Sequence, residues 1–278
     1  MIRFKQKSPN LALSPNKTIN YVWYQPDPNQ FTGLLDTYGG ASAAYSLRKL
    51  RKLYTGNLIR VRRSSDNAEQ NIGIVNNQLD TASLLSFCSG TNGFVTTWYD
   101  QSGNSNDAVQ ASATFQPQIV SGGNLITVGG NVTLQFDGVD DDFYTPVGAS
   151  AVTDLYFIIN TSDQQYLYPQ KSGNVYGFVA QIGNAGSPYS NYGAPSLYTN
   201  GVLRSSSTRG QVYTAQNGYN VVVHQNANTS VFTGGYNFFN YSGFQFGGDV
   251  QEIIIYLSNQ STNRAGIETN MNDYYSIY

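Results

Sequence analysis

The sequence predicts an all-β protein: an antiparallel β-sandwich with a few short helices and an extended N-terminal arm. Three observations carry that reading. From Leu155 onward, runs of β-branched and aromatic residues alternate with Gly, Asn and Ser turns about every ten residues, and no βαβ alternation interrupts them. Charged residues make up only 12% of the chain, against 22 Tyr and 28 Gly, so the surface is polar through hydroxyls and amides rather than through charge. The third is the sharpest boundary in the chain. Val95 to Tyr99 is strand-like, and it breaks at once into Asp100-Gln101-Ser102-Gly103-Asn104-Ser105-Asn106-Asp107, residues that tolerate positive φ or bond to their own backbone.

Taken in order, residues 1–33 hold Pro9, Pro15, Pro26 and Pro28 and little apolar periodicity, which predicts an arm for attachment or assembly, with the sandwich domain at 34–278. A turn at Tyr38-Gly39-Gly40 leads to a short basic helix, with Arg48, Lys49, Arg51 and Lys52 solvated and Leu47, Leu50 and Tyr54 turned inward. Ile59–Arg62 alternates apolar and charged residues as a strand with one wet face does. Asp80 is placed to cap a second helix running to Phe87. Strands follow at Pro117–Val120 and Leu134–Asp137, then an acidic turn and a new strand at Phe143. Later strands are expected at Leu155–Asn160, Tyr176–Ile182, Ser196–Tyr198, Gln211–Tyr213, Tyr219–His224, Ser230–Thr233, Phe244–Phe246 and Glu252–Leu257. Residues 261–275 read as a closing helix, with Ile267, Met271 and Tyr274 or Tyr275 on one face.

Several function classes fall away on composition. A net charge of −2 gives no general attraction to nucleic acid or anionic lipid. Cys88 is the only cysteine, so no intramolecular disulfide forms, and its neighbours Leu84, Leu85 and Phe87 make it a packed thiol. His224, the only histidine, follows three valines and reads as a sheet residue. The N-terminus has no apolar signal-like core and no stretch is long enough to span a bilayer, which predicts neither a standard secretory route nor membrane insertion.

Two acidic stretches invite a cation. Asp100, Asn104, Asn106 and Asp107 offer oxygens at short spacing but lack the ligand ladder and distal Glu of an EF-hand loop, so a turn held by Asx bonds is the expectation there. Asp140, Asp141 and Asp142 are adjacent and repel one another, so either water and salt screen them, with no cofactor, or a cation such as Ca²⁺ does.

Four blocks carry a resemblance: Ala44-Tyr45-Ser46-Leu47-Arg48, Ile59–Asn67, Leu79-Asp80-Thr81-Ala82 and, most specific, Trp98-Tyr99-Asp100-Gln101-Ser102-Gly103-Asn104. In order and spacing, over roughly residues 40–125, they resemble the catalytic domain of the α-L-arabinofuranosidase B family, glycoside hydrolase family 54. The resemblance implies a concanavalin A-like sandwich. Phe136–Asp141, Gly248–Tyr256 and the closing helix are similar to laminin-G-like jelly rolls. A retaining glycosidase uses two carboxylates about 5 Å apart. The family's nucleophile position falls in Leu197–Val202 and its acid/base position near Phe239–Gly243, and neither stretch holds an acid. Asp249 and Glu252 sit three apart in a strand, which predicts opposite faces.

The expectation is therefore a non-enzymatic sandwich on a bacteriophage particle: a capsid decoration, head fibre or tail component. Its partners would be other virion proteins and further copies of itself, as in a trimer, and its location the virion. Exposed aromatics beside amides would bind a surface glycan, with Trp98, Tyr192, Tyr198 and Tyr236 as candidates. The alternatives are an arabinofuranosidase-like glycoside hydrolase and a bacterial carbohydrate-binding module.

Overall fold

The computed structural model describes residues 31–161, 165–167, 170–171, 175–176, 178–181, 183–187, 192–204, 208–241 and 244–278. The expected arm lies almost wholly outside them. Ten strands carry the frame: β1 (Ala43–Ser46), β2 (Ile59–Arg63), β3 (Gly93–Trp98), β4 (Gln118–Ser121), β5 (Leu134–Asp137), β6 (Phe143–Thr145), β7 (Thr153–Thr161), β8 (Ser196–Thr199), β9 (Gly218–Ala227) and β10 (Gly247–Tyr256). The helices are α1 (Leu34–Thr37), α2 (Thr81–Phe87), α3 (Arg209–Gln216) and α4 (Arg264–Tyr275).

β10 is the spine. β7 pairs along one side of it, and β9 and then β8 extend the sheet outward. The other side is shared end to end: β1 takes Glu252–Ile255 and β5 takes Gly247–Val250. From β5 the pairing runs on through β4, β3 and β2, and every one of these pairs is antiparallel.

Alternation along the strands sorts the apolar residues into two cores. Ile253 and Ile255 face inward with Tyr45, Val61, Trp98, Leu134, Phe136 and Phe157. Ile254 and Tyr256 face outward with Tyr156, Ile158 and Val223, and there α4 covers them with Ile267, Met271 and Tyr275. Each such aliphatic side chain stabilises by about 1.5–3 kcal/mol on burial. The closing helix is thus held by its apolar face, as its spacing predicts, although it begins at Arg264 rather than at 261.

One irregularity changes the phase of β10. Against β7, Ile158 pairs with Glu252 and Ile159 with Val250, which leaves Gln251 as an extra residue. A bulge of this kind shifts side-chain alternation by one. Asp249 and Glu252 therefore share the outward face, and the expectation of opposite faces is corrected. They do not work as a pair. Glu252 is buried and accepts from Arg48 Nε at 2.8 Å, Arg48 Nη2 at 2.9 Å, Ser46 Oγ at 2.7 Å and Tyr275 Oη at 3.1 Å.

The basic helix at 47–54 is also corrected. Arg48 is buried, with Tyr274 stacked 4.6 Å from its guanidinium, and the surrounding chain is irregular. Its backbone groups are claimed from afar: Leu50 N donates to Gln101 Oε1, Lys49 N to Asn77 O and Lys52 N to Asp36 Oδ2. Remote partners replace the i−4 bonds that a helix needs. Gln211–Tyr213 lies in α3, because Thr208 and Gln211 form a capping box that starts a helix there. Ser230–Thr233 is a turn.

Candidate active site

The motif loop after β3 is a staple. Asp100 accepts from Ala44 N at 2.9 Å, Ser102 N at 2.8 Å, Asn106 N at 3.1 Å and Ser102 Oγ at 2.7 Å. Gln101 donates to Ser46 O and Arg48 O, Asn104 to Ala41 O and Asn106 to Ser42 O. The loop thus ties the end of β3 to β1 and to the chain beyond it. Both carboxylate oxygens of Asp100 are committed to backbone and hydroxyl donors, as the Asx-turn reading predicts.

A different set of side chains lines a groove of about 720 Å³. Strand register puts one residue per strand into a row: Phe94 on β3, Gln118 on β4, Gln135 on β5, Asp249 on β10 and Asn160 on β7. Their neighbours Val95, Ile119, Leu134, Val250 and Ile159 belong to the inner core, so the row faces outward. Gly247 and Gly248 add no side chains beside it. Gly248 has φ of +149°, and a Cβ there would stand 2.4 Å from Asn160 O, so this part of the groove stays open.

Asp249 is the unusual member. It is only 8% exposed. Its Oδ2 accepts from Asn160 Nδ2 at 3.0 Å, while its Oδ1 is buried with no hydrogen-bond partner. Burial pushes its carboxyl above the usual range, and the Asn160 bond opposes the rise. Asp137 and Asp141 line the same groove. Asp141 Oδ2 accepts from Asp137 N at 2.9 Å. Burial, opposed by that amide and reinforced by Asp137, Asp140 and Asp142, pushes the Asp141 carboxyl up to about 7.

The acidic cluster differs in membership from the expected one. Oxygens of Asp137, Asp140 and Asp141 lie within 4.8 Å of one another, whereas Asp142 bonds the Gln110 side-chain amide. Asp137 therefore stands where Asp142 was expected, because the turn at Gly138 folds Asp137 back over Asp141.

The proposed glycan platforms are mostly interior. Trp98 packs between Tyr45 and Phe143 with centroids 5.8 and 6.4 Å away, and it is fully buried. Tyr192 is buried and bonds His224 Nδ1 at 2.9 Å. Tyr236 is buried against Phe232 and bonds Thr229 Oγ1. A sugar face cannot stack on rings enclosed by the core. Tyr198 is half-buried, with the Arg264 guanidinium 3.9 Å from its ring centre. Burial pushes His224 down to about 3, so it is neutral, and raises the buried Cys88 thiol. The groove residues Phe94, Gln118, Gln135, Asn160, Asp137 and Asp249 were not singled out as ligand-binding from sequence. The available signal was the polar member of each apolar–polar alternation in Gln118-Ile119 and Leu134–Asp137.

A family model described as the catalytic domain of α-L-arabinofuranosidase B matches residues 36–135. A solved GH54 α-L-arabinofuranosidase soaked with a cyclic sulfate inhibitor is 14% identical with a TM-score of 0.47. An arabinofuranosidase complexed with arabinofuranosyl-α-1,2-xylobiose is 16% identical with a TM-score of 0.46. Both alignments cover 83% of this chain and 62% of the solved chain, so this chain spans less than two thirds of their length. No curated protein matches the chain. The resemblance to the GH54 catalytic domain therefore stands for residues 36–135. Because the matching model is that of a catalytic domain, it overturns the expectation of a non-enzymatic virion protein, whether capsid decoration, head fibre or tail component. No helix among the described residues is long and apolar enough to cross a membrane.

Proposed function

We propose that the chain is a glycoside hydrolase domain of α-L-arabinofuranosidase type, built on a concanavalin-like jelly roll, with its active site in the groove of Asp249 and Asp141. The observation that carries the reading is the buried, unpartnered Oδ1 of Asp249. An unsatisfied buried carboxylate oxygen costs about 1–3 kcal/mol or more, and such a cost is tolerated where the group does chemistry. The family match over residues 36–135 supports the substrate class.

Glycosidic cleavage needs a proton donor at the leaving oxygen and a carboxylate on the other side of the anomeric carbon. Asp141, pushed up to about 7, stays protonated in about half the molecules at neutral pH and in most of them below it, which suits the donor role. Asp249, held on one oxygen by Asn160, presents the other as nucleophile or as base for a water. Environments that separate two carboxylates in this way assign acid and base. In this reading the groove carboxylates replace the acids missing from Leu197–Val202 and Phe239–Gly243.

The test is release of 4-nitrophenol from 4-nitrophenyl α-L-arabinofuranoside across pH. The expected profile is a bell: activity falls on the alkaline side as Asp141 loses its proton, and on the acid side as Asp249 gains one. Absence of turnover by the folded wild-type chain, or a profile indifferent to Asp141→Asn and Asp249→Asn, overturns the proposal.

A further inference from the structure

We infer that the groove takes a neutral glycan chain lying across the strands, its successive sugars contacting Phe94, Gln118, Gln135, Asp249 and Asn160 in turn. The inference rests on the hydrolase reading for the presence of a sugar and adds the direction and the charge class of the chain that carries it. Direction follows from register. The five residues belong to five neighbouring strands in continuous pairing, β3–β4–β5–β10–β7. At about 4.8 Å per strand the row is about 19 Å long, the span of a short oligosaccharide rather than of a single ring. All five line one groove.

Charge class follows from the lining. Its ionisable members, Asp137, Asp141 and Asp249, are all acids. The cation at the end of the row, Arg62, is committed: its guanidinium donates to Gln116 Oε1 at 2.7 Å, Asn67 Oδ1 at 2.9 Å and Ala113 O at 3.0 Å. It also lies 4.9 Å from the Phe94 ring centre, which fixes the aromatic end of the row. Among the described residues, a uronate or sulfate laid here would meet carboxylates and no free cation, at a cost comparable to like charges in contact. Hydroxyls suit the lining: the amides of Gln135 and Gln118 both donate and accept, and Asp249 Oδ1 accepts.

The test is calorimetric binding to the full chain, with arabinofuranosyl-substituted xylo-oligosaccharides as the neutral probe and oligogalacturonates as the acidic one. The wild-type chain should bind the neutral probe and fail to bind the acidic one. The double variant Gln118→Ala/Gln135→Ala, on the wet face of the sheet, should weaken neutral binding about tenfold through two lost hydrogen bonds. Gln135→Lys should admit the acidic probe. Equal wild-type affinity for both probes, no affinity for either, or neutral affinity unchanged in the double variant overturns the inference. Neutral binding without any release of arabinose breaks the hydrolase reading alone, so the two failures are distinguishable.

Discussion

Two aspartate-rich loops stand on this molecule, and they handle their carboxylates in opposite ways. In the loop 100–107, Asp100 accepts four hydrogen bonds from backbone and hydroxyl donors. In the loop 137–142, Asp141 and Asp142 sit among other acids with few donors and are pushed up to about 7 and about 6, largely by burial. Beside the second loop, Asp249 keeps one oxygen with no partner. The first loop is the more recognisable in sequence and is a staple; the second is plainer and borders the strand that carries the unsatisfied oxygen of Asp249. Satisfied networks specify a fold, and unsatisfied ones are where chemistry is expected.

The comparison breaks most readily at Asp100. Asp100→Ala removes an acceptor that is 6% exposed and strands the Ala44 amide, itself buried. Loss of several such bonds should cost about 3–5 kcal/mol, read as a drop in the urea midpoint at unchanged slope. A loss under about 1 kcal/mol would mean that the loop closes without this staple. Glu252→Gln should be of similar size, because it leaves Arg48 buried among Tyr274, Tyr275 and Asn270 with its charge unpaired, about 3–5 kcal/mol. Its readout is early loss of protection in α4, which Arg48 and Glu252 tie to the sheet.

Asp249→Asn should behave in the reverse manner. The amide can keep its bond to Asn160, and removing a partly desolvated charge should leave stability within about 1 kcal/mol of wild type or raise it. Arabinofuranoside turnover should fall by about 10²–10³-fold, or 2.7–4 kcal/mol in the barrier. A large stability loss with activity retained would make Asp249 a structural residue after all, like Asp100.

How far each region was legible from sequence follows the same division. The strand at 95–99, the Asp80 cap and the closing helix rest on local spacing, and the structure has them: Asp80 Oδ1 accepts from Ser83 N at 3.0 Å, and Ile267, Met271 and Tyr275 are buried. The region 47–54 was misread because the partner that unmakes the helix, Gln101, lies some fifty residues away. Trp98 and Tyr236 were misread because an aromatic residue in a sandwich strand has two faces to choose from, and strand pairing makes the choice; Tyr192 lies in a bend and is drawn inward by His224 and Phe232. Asp249 was dismissed by counting alternation over three residues, which holds only in an unbroken strand. The bulge at Gln251 is fixed by register with β7, and register is a property of two strands at once. Carboxylates brought together by such pairing leave no mark at any fixed spacing.

The second loop allows a finer test that needs no substrate. Asp141 has a folded-state pKa of about 7, above its unfolded value of about 3.9. Between those values the native state holds more protons than the unfolded one, so the Asp141 contribution to stability falls as pH rises from about 4 and reaches its full cost above about 7. Asp141→Asn removes the titration while keeping an oxygen to accept the Asp137 amide. The variant and wild type should therefore coincide near pH 4 and diverge with pH. By pH 8 the variant should be more stable by roughly 1–3 kcal/mol, measured as the difference in urea midpoints at the two pH values. If the Asp141→Asn difference is flat from pH 4 to pH 8, the carboxyl ionises at an ordinary value. The two loops would then differ in their hydrogen bonds but not in their chemistry.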